Sequence, residues 1–326
     1  MSRMSNYPNG FANGVTIRGV PLTMAHPGKV FFVNNSSVLA STDDGVAGAD
    51  TPSAGTFQRP FASIYYAVQQ CTASRGDIIF VMPGHAETIA DATTLILSTA
   101  GVAVVGLGTG SLRPTLTFTA AASNIPVTAA NVSVHNILHV ANFADVASYY
   151  TATGTATPSD LSLEGNEFRD TSAILNAITI VTGNATANSL DGLYFSKNRF
   201  WSLGTTAATT AITLGAAASR MSLLDNHITT PALNDTAALM VAGAHAMLDL
   251  TIARNRVFRP STSSTGGTMV SGSGTCTGLV YDNYCWHLDN TAGLMISTGM
   301  ALGFFKNHCP ITSAADKSGL VNPAEV

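Results

Sequence analysis

The sequence predicts an all-β chain: a single-stranded, right-handed parallel β-helix with an extended N-terminal arm and a short capping helix. The first observation is a repeat. The pattern apolar-x-apolar-x-x-Asn-x-apolar returns six times, as in Leu161, Leu163, Asn166 and Phe168, or Leu193, Phe195, Asn198 and Phe200. Its asparagines, Asn166, Asn198, Asn226, Asn255, Asn283 and Asn307, lie 32, 28, 29, 28 and 24 residues apart, a period that marks stacked units. The second observation is the spacing inside the repeat. Apolar residues two apart share one face of a strand, and asparagine tolerates the left-handed backbone of a tight bend. Each unit therefore reads as strand, Asn turn, second strand and a third strand before the next coil. The third observation is composition. Only 10% of the residues are charged, against about 25% in soluble domains, so much of the outer surface is neutral.

Residues 1–45 form the arm and a first strand. Pro8, Gly10, Gly14, Gly19, Pro21 and Pro27 interrupt any helical or strand period, so this stretch is expected to be an extended arm, either disordered or pinned against a partner. The short strand lies in GKVFFVNNSS. Residues 46–75 form a loop and a helix: after Pro60, the residues Phe61, Ile64, Ala67 and Val68 fall at helical spacing. This helix is expected to cover the first coil, whose open strand edges invite aggregation. Residues 76–310 form eight or nine coils, in which VSVHNILHV is an off-register copy of the repeat. Residues 311–326 are more polar and close the far end.

The net charge of −4 and the lack of a basic run give no reason to expect nucleic acid. No apolar run of about 18 residues suggests a membrane span. The opening MSRMSNYPNGFANG lacks the apolar core of a signal peptide, which makes the cytoplasm the expected place of synthesis. Cys71, Cys276, Cys285 and Cys309 show no metal-ligand spacing. Cys285 and Cys309 take the same inward position in successive units, where a reduced stack of small buried side chains is favoured over a disulfide.

Stacking makes equivalent positions neighbours, so the outside of the rod can be read in columns. The residue before each Asn runs Gly165, Lys197, Asp225, Arg254, Asp282, Lys306, with alternating signs that favour one register. Three residues after each Asn the column runs Arg169, Trp201, Thr229, Phe258, Trp286, Pro310. Two before each Asn it runs Glu164, Ser196, Leu224, Ala253, Tyr281, Phe305, turning apolar toward the C-terminus. Outward aromatics need a partner or cover, as a subunit interface, a sugar-stacking platform or a face shielded by the chain's own loops; Trp201, Phe258, Trp286, Tyr281 and Phe305 are the candidate interface, and a homotrimer of parallel rods is the expected assembly.

No catalytic, cofactor or metal site is expected. A glycosidase needs paired carboxylates across a groove. Glu164, Glu167 and Asp170 share one coil, with Asp191 and Asp225 on the next two, but Glu164 and Glu167 fall on opposite sides of an Asn turn. His135 and His139 have the spacing of a helical zinc pair on a segment that reads as strand. Gly106, Gly108 and Gly110 resemble a phosphate loop but lead into Ser-Leu-Arg-Pro, not a helix.

The passage with Asp50, Pro60, Phe61, Gly76, Asp77, Ile79, Pro83 and Gly84 resembles the entry segment of the pectate-lyase-like β-helix superfamily, which includes phage tailspikes, polysaccharide lyases and glycoside hydrolases. The resemblance implies the fold over residues 45–310 and says little about chemistry. The passage NYPNGFANGVTIRGVPLTMAHPGKVFFV resembles the opening of virion proteins of tailed bacteriophages. It implies a virion protein made in the host cytoplasm; the low charge, outward aromatic columns, arm and lack of paired carboxylates point to a non-enzymatic structural protein on the capsid surface, decorating or cementing the capsid and held to the major capsid protein by its arm. The alternative is a tailspike or receptor-binding protein that binds or cleaves a host surface polysaccharide.

Overall fold

The computed structural model describes residues 16–17, 20–21, 28–35, 48–153, 159–204, 210–230, 237–259, 269–287, 300, 302–308 and 320–321. Alternating apolar residues fold these segments into a parallel β-helix with three sheets, as the repeat predicts. The first sheet stacks strands from Val30–Val33 to Gly303–Phe305, and the second from Ala86–Ile89 to Asn307–His308. The third runs from Ile125–Val127 to Val270–Gly272 in six strands, so six turns are three-sided. The winding is right-handed, the hand that twisted parallel strands impose on their crossovers. The apolar positions of the repeat point inward and are fully buried: Leu163, Phe168, Phe195, Leu223, Ile228, Ile252 and Val280 each keep 2% or less of their surface. Each such side chain contributes about 1.5–3 kcal/mol of transfer free energy, which stacking makes continuous along the rod.

Val30–Val33 pairs in parallel with Ile78–Val81, so the first rung of the coil is laid down before the loop and helix that follow it. The helix α1, Ile64–Gln70, starts where predicted, with Ile64, Ala67 and Val68 buried. Ser63 caps it by accepting from the Tyr66 N–H, and Asp50 in turn accepts from the Ala62 and Ser63 N–H groups and the Ser63 hydroxyl. Asp77 fastens the exit. Its buried carboxylate accepts from the Lys29 and Thr72 backbone and from the Arg75 guanidinium. Burial pushes its pKa up, but Arg75 and the two N–H donors prevail and hold it below the usual range. At the other end Leu320–Val321 pairs antiparallel with Asn307–His308 and covers that edge of the second sheet. Of the arm, Thr16–Ile17 and Val20–Pro21 form a short antiparallel pair, and the remainder of residues 1–27 lies outside the described residues.

The Asn turn differs from the sequence reading in one respect. The left-handed residue is the one before each Asn: Gly165, Lys197, Asp225, Arg254, Asp282 and Lys306 have φ between 51° and 65°. The asparagines themselves are buried inside the corner. There Oδ1 of each accepts the backbone N–H of the Asn one coil earlier, at 2.9–3.0 Å from Asn166 to Asn307. Each Nδ2 donates to a carbonyl of the preceding coil, as Asn226 does to Phe195 at 2.8 Å. The side chain is needed inside, so its neighbour takes the apex. The off-register coil proves the rule: Asn136 occupies the apex with φ 55°, and Ile137 fills the buried Asn position, its N–H satisfied by Asn166.

The five non-glycine residues that precede the repeat asparagines thus hold a conformation that costs about 1–2 kcal/mol each, partly offset for glycine by its greater chain entropy. Asp282→Gly is expected to raise stability by about 0.5–1 kcal/mol. Denaturant midpoints check this, and a lowered midpoint would show that the apex is not strained.

Candidate functional site: the outward face of the second sheet

The column three residues beyond each Asn stacks as the sequence implies, with Arg169, Trp201, Thr229, Phe258 and Trp286 in register. Trp201 and Phe258 are 43% and 40% exposed, and Phe258 lies parallel to Trp286 at 4.4 Å between centroids. Pro310 lies outside the described residues. On the first sheet, Glu164, Ser196, Leu224, Ala253, Tyr281 and Phe305 are likewise in register, and Tyr281 stacks on Phe305 at 5.0 Å. This second column is not open throughout. Ser196 and Ala253 are fully buried, being shorter than the side chains one coil above and below them. The two aromatic pairs flank the same Asn corner on the last coils, one on each sheet.

Signs at the corner pair less regularly than their alternation suggests. Arg254 grips Asp225 through Nε and Nη2 at 2.7 and 2.8 Å and holds its carboxyl below the usual range. Lys197 instead reaches sideways to Glu164 at 2.6 Å. These pairs are largely exposed, so each adds about 0–1 kcal/mol.

The carboxylates act as fasteners. Glu164 bonds Lys197 and lies 3.7 Å from His135, while Glu167, across the corner, bonds Arg113 and Arg169. Arg113 also reaches the Asn136 side chain and the Gly165 carbonyl, so one guanidinium ties three coils. Asp170 is buried and accepts from the N–H groups of Ala177, Leu203 and Gly204 and from the Ser202 hydroxyl. Burial nonetheless pushes its pKa up. Asp191 accepts from the Ser219 backbone and hydroxyl one coil on. Glu167, Arg169, Asp170, Arg199, Trp201 and Leu203 line a concavity of about 250 Å³. A wider groove, about 840 Å³, runs past His227, Arg256 and Tyr284 along the corner.

His135 and His139 fall on different sheets, the first outward and the second fully buried, so their spacing brings no pair together. Among the described residues no group of three His, Cys, Asp or Glu could hold a metal. The glycine segment at 106–110 turns into a short 3-10 helix, Gly110–Leu112, and the Asn136 amide occupies its carbonyls. Cys285 is buried in the inward column, and Cys309 lies outside the described residues. No helix of the described residues is long and apolar enough to cross a membrane.

Sequence reasoning missed a fourth column, one residue beyond each Asn, which carries Glu167, Arg199, His227, Arg256, Tyr284 and His308 in register. The signal was the same repeat, read one position over. Comparison with protein families, with curated proteins and with solved structures gives no match for this chain. The parallel β-helix is established by its strand register, and no family or relative found supports a relationship to pectate-lyase-like or phage proteins.

Proposed function

We propose that the chain is a non-enzymatic structural protein of a phage virion that decorates or cements the capsid as a homotrimer, its arm gripping the major capsid protein. The observation that carries the assembly reading is the pair of aromatic stacks, Phe258 with Trp286 and Tyr281 with Phe305, on both sides of one corner. Such apolar clusters on a rod with so few charges mark contact surfaces. The virion reading rests on the resemblance of residues 6–33. Deleting residues 1–28 removes nothing from the stacked strands and is expected to leave the fold intact while abolishing attachment to capsids. Attachment by the truncated chain would count against the reading. A free-protein mass near that of one 33.6 kDa chain by light scattering would remove the trimer.

A second reading, a tailspike or receptor-binding protein acting on host polysaccharide, draws on the concavity where Trp201 lies beside Glu167 and Asp170. Release of short oligosaccharides from host polysaccharide by the purified chain would favour it over the first.

A further inference from the structure

Arg199, His227 and Arg256 present their side chains outward from three successive strands of the second sheet, directly above one another and all exposed. Like charges directly opposite across strands are destabilising, and the neighbouring corner column places acids and bases in alternation. Here no acid is interposed. The groups that face His227 are Arg199 and Arg256 from the adjacent strands, Asp225 and Arg254 across the corner, and Asp282 and Tyr284 farther along the groove. Arg254 already neutralises Asp225, and Glu167, below Arg199, is engaged by Arg113 and Arg169. The Arg199 guanidinium lies 5.7 Å from the centre of the Trp201 ring, at the edge of the neighbouring concavity.

We propose that Arg199, His227 and Arg256 bind a tetrahedral oxyanion, a phosphate or sulfate group, laid over the middle coil. The two arginines stand two strand spacings apart at the backbone, about 9.6 Å, with His227 on the strand between them. Each guanidinium offers a planar fork that matches two oxygens of the ligand. The imidazole between them supplies a further N–H. Partial burial and then Arg199 and Arg256 hold the His227 pKa down. A bound dianion offsets both guanidiniums, so binding and protonation of His227 favour each other. The site borders the aromatic column on the same sheet, since Arg256 shares its strand with Phe258 and Arg199 with Trp201.

The test follows the ring signals of His227 by NMR in the full-length, histidine-labelled chain, in chloride and in sulfate at equal ionic strength. Sulfate is expected to raise the His227 titration midpoint by at least about half a pH unit. In the double variant Arg199→Gln/Arg256→Gln the midpoint is expected to be higher already in chloride and to gain nothing from sulfate. Equal midpoints in the two salts, or an equal rise in the variant, would overturn the site. Tripolyphosphate separates the sources of the group. Saturation at least about tenfold below sulfate assigns the site to phosphates carried in series, and equal saturation assigns it to an isolated group.

Discussion

Asn226→Ala is expected to lower stability by about 3–5 kcal/mol, far more than removal of any surface ion pair. The loss comes from groups left behind, not from the bonds themselves. Without the Asn226 side chain, the Asn198 N–H loses its acceptor at 3.0 Å and the Phe195 carbonyl loses a donor at 2.8 Å. Both lie inside the corner, where an unsatisfied polar group costs about 1–3 kcal/mol, and the missing amide leaves a void besides. The ladder also continues through side chains, since the Asn198 Nδ2 lies 3.2 Å from Asn226 Oδ1 and the Asn226 Nδ2 lies 2.9 Å from Asn255 Oδ1. One truncation therefore interrupts a chain of polarised amides. Asn307→Ala, at the last coil, is expected to cost less, because terminal coils open locally before the rod unfolds. Urea unfolding of the two variants checks both statements. A loss below about 1 kcal/mol at Asn226 would mean that water or a shifted backbone satisfies the corner instead.

The same asparagines show why the fold was legible. The Asn position must satisfy two backbone groups of the coil before it, so its identity recurs from Asn166 to Asn307 where the first and second sheets meet. Inward positions such as Leu163 and Phe168 recur for the ordinary reason of burial. What did not recur was the third sheet. Its strands read IPV, YTA, TIVTG, TAIT, MVAG and VSG, and most of their residues are buried whichever face they occupy. Burial on both faces removes the alternation that marks a strand. The segments flanking these strands also vary in length, which is why the Asn spacing ranges from 24 to 32.

Placement of the left-handed apex shows the opposite case. Asn is a common left-handed residue, so assigning that conformation to the repeat Asn follows propensity; the buried ladder overrides it and moves the strain to Lys197, Asp225 or Arg254. The outward columns were legible as columns, because register is fixed by the inward ones. Which outward residues stay open was not, since that depends on the reach of side chains a coil away, as at Ser196.

Between pH 6.5 and 4.5, protonation of His139 is expected to remove about 2–3 kcal/mol of stability. His139 occupies the inward column between Leu116 and Phe168, a position that is apolar on the flanking coils. It is fully buried, 4.5 Å from Phe168 in a stacked arrangement, with Phe118, Tyr149 and Tyr150 around it. The Tyr150 hydroxyl, 2.6 Å from Nε2, donates to the neutral ring, which leaves Nδ1–H facing the Glu167 carbonyl at 3.4 Å. Burial holds the ring pKa down to about 3; the Glu167 carbonyl opposes this, and Arg113 adds to it. The folded value lies below the unfolded one, about 6.5, so the folded chain binds fewer protons between them. Stability is therefore complete above pH 6.5 and falls as the pH drops toward 3, where the total loss approaches about 4–5 kcal/mol. His135 and His227 also titrate low, and paired carboxylates such as Asp77 add their own loss below about pH 4. The variant His139→Leu/Tyr150→Phe isolates the central contribution, since it removes the buried base together with the hydroxyl it satisfies. It is expected to flatten the dependence of the urea midpoint between pH 6.5 and 4.5 by most of its slope. An unchanged slope would place the acid sensitivity of the rod at its surface, on the histidines beside Glu164 and between the two arginines.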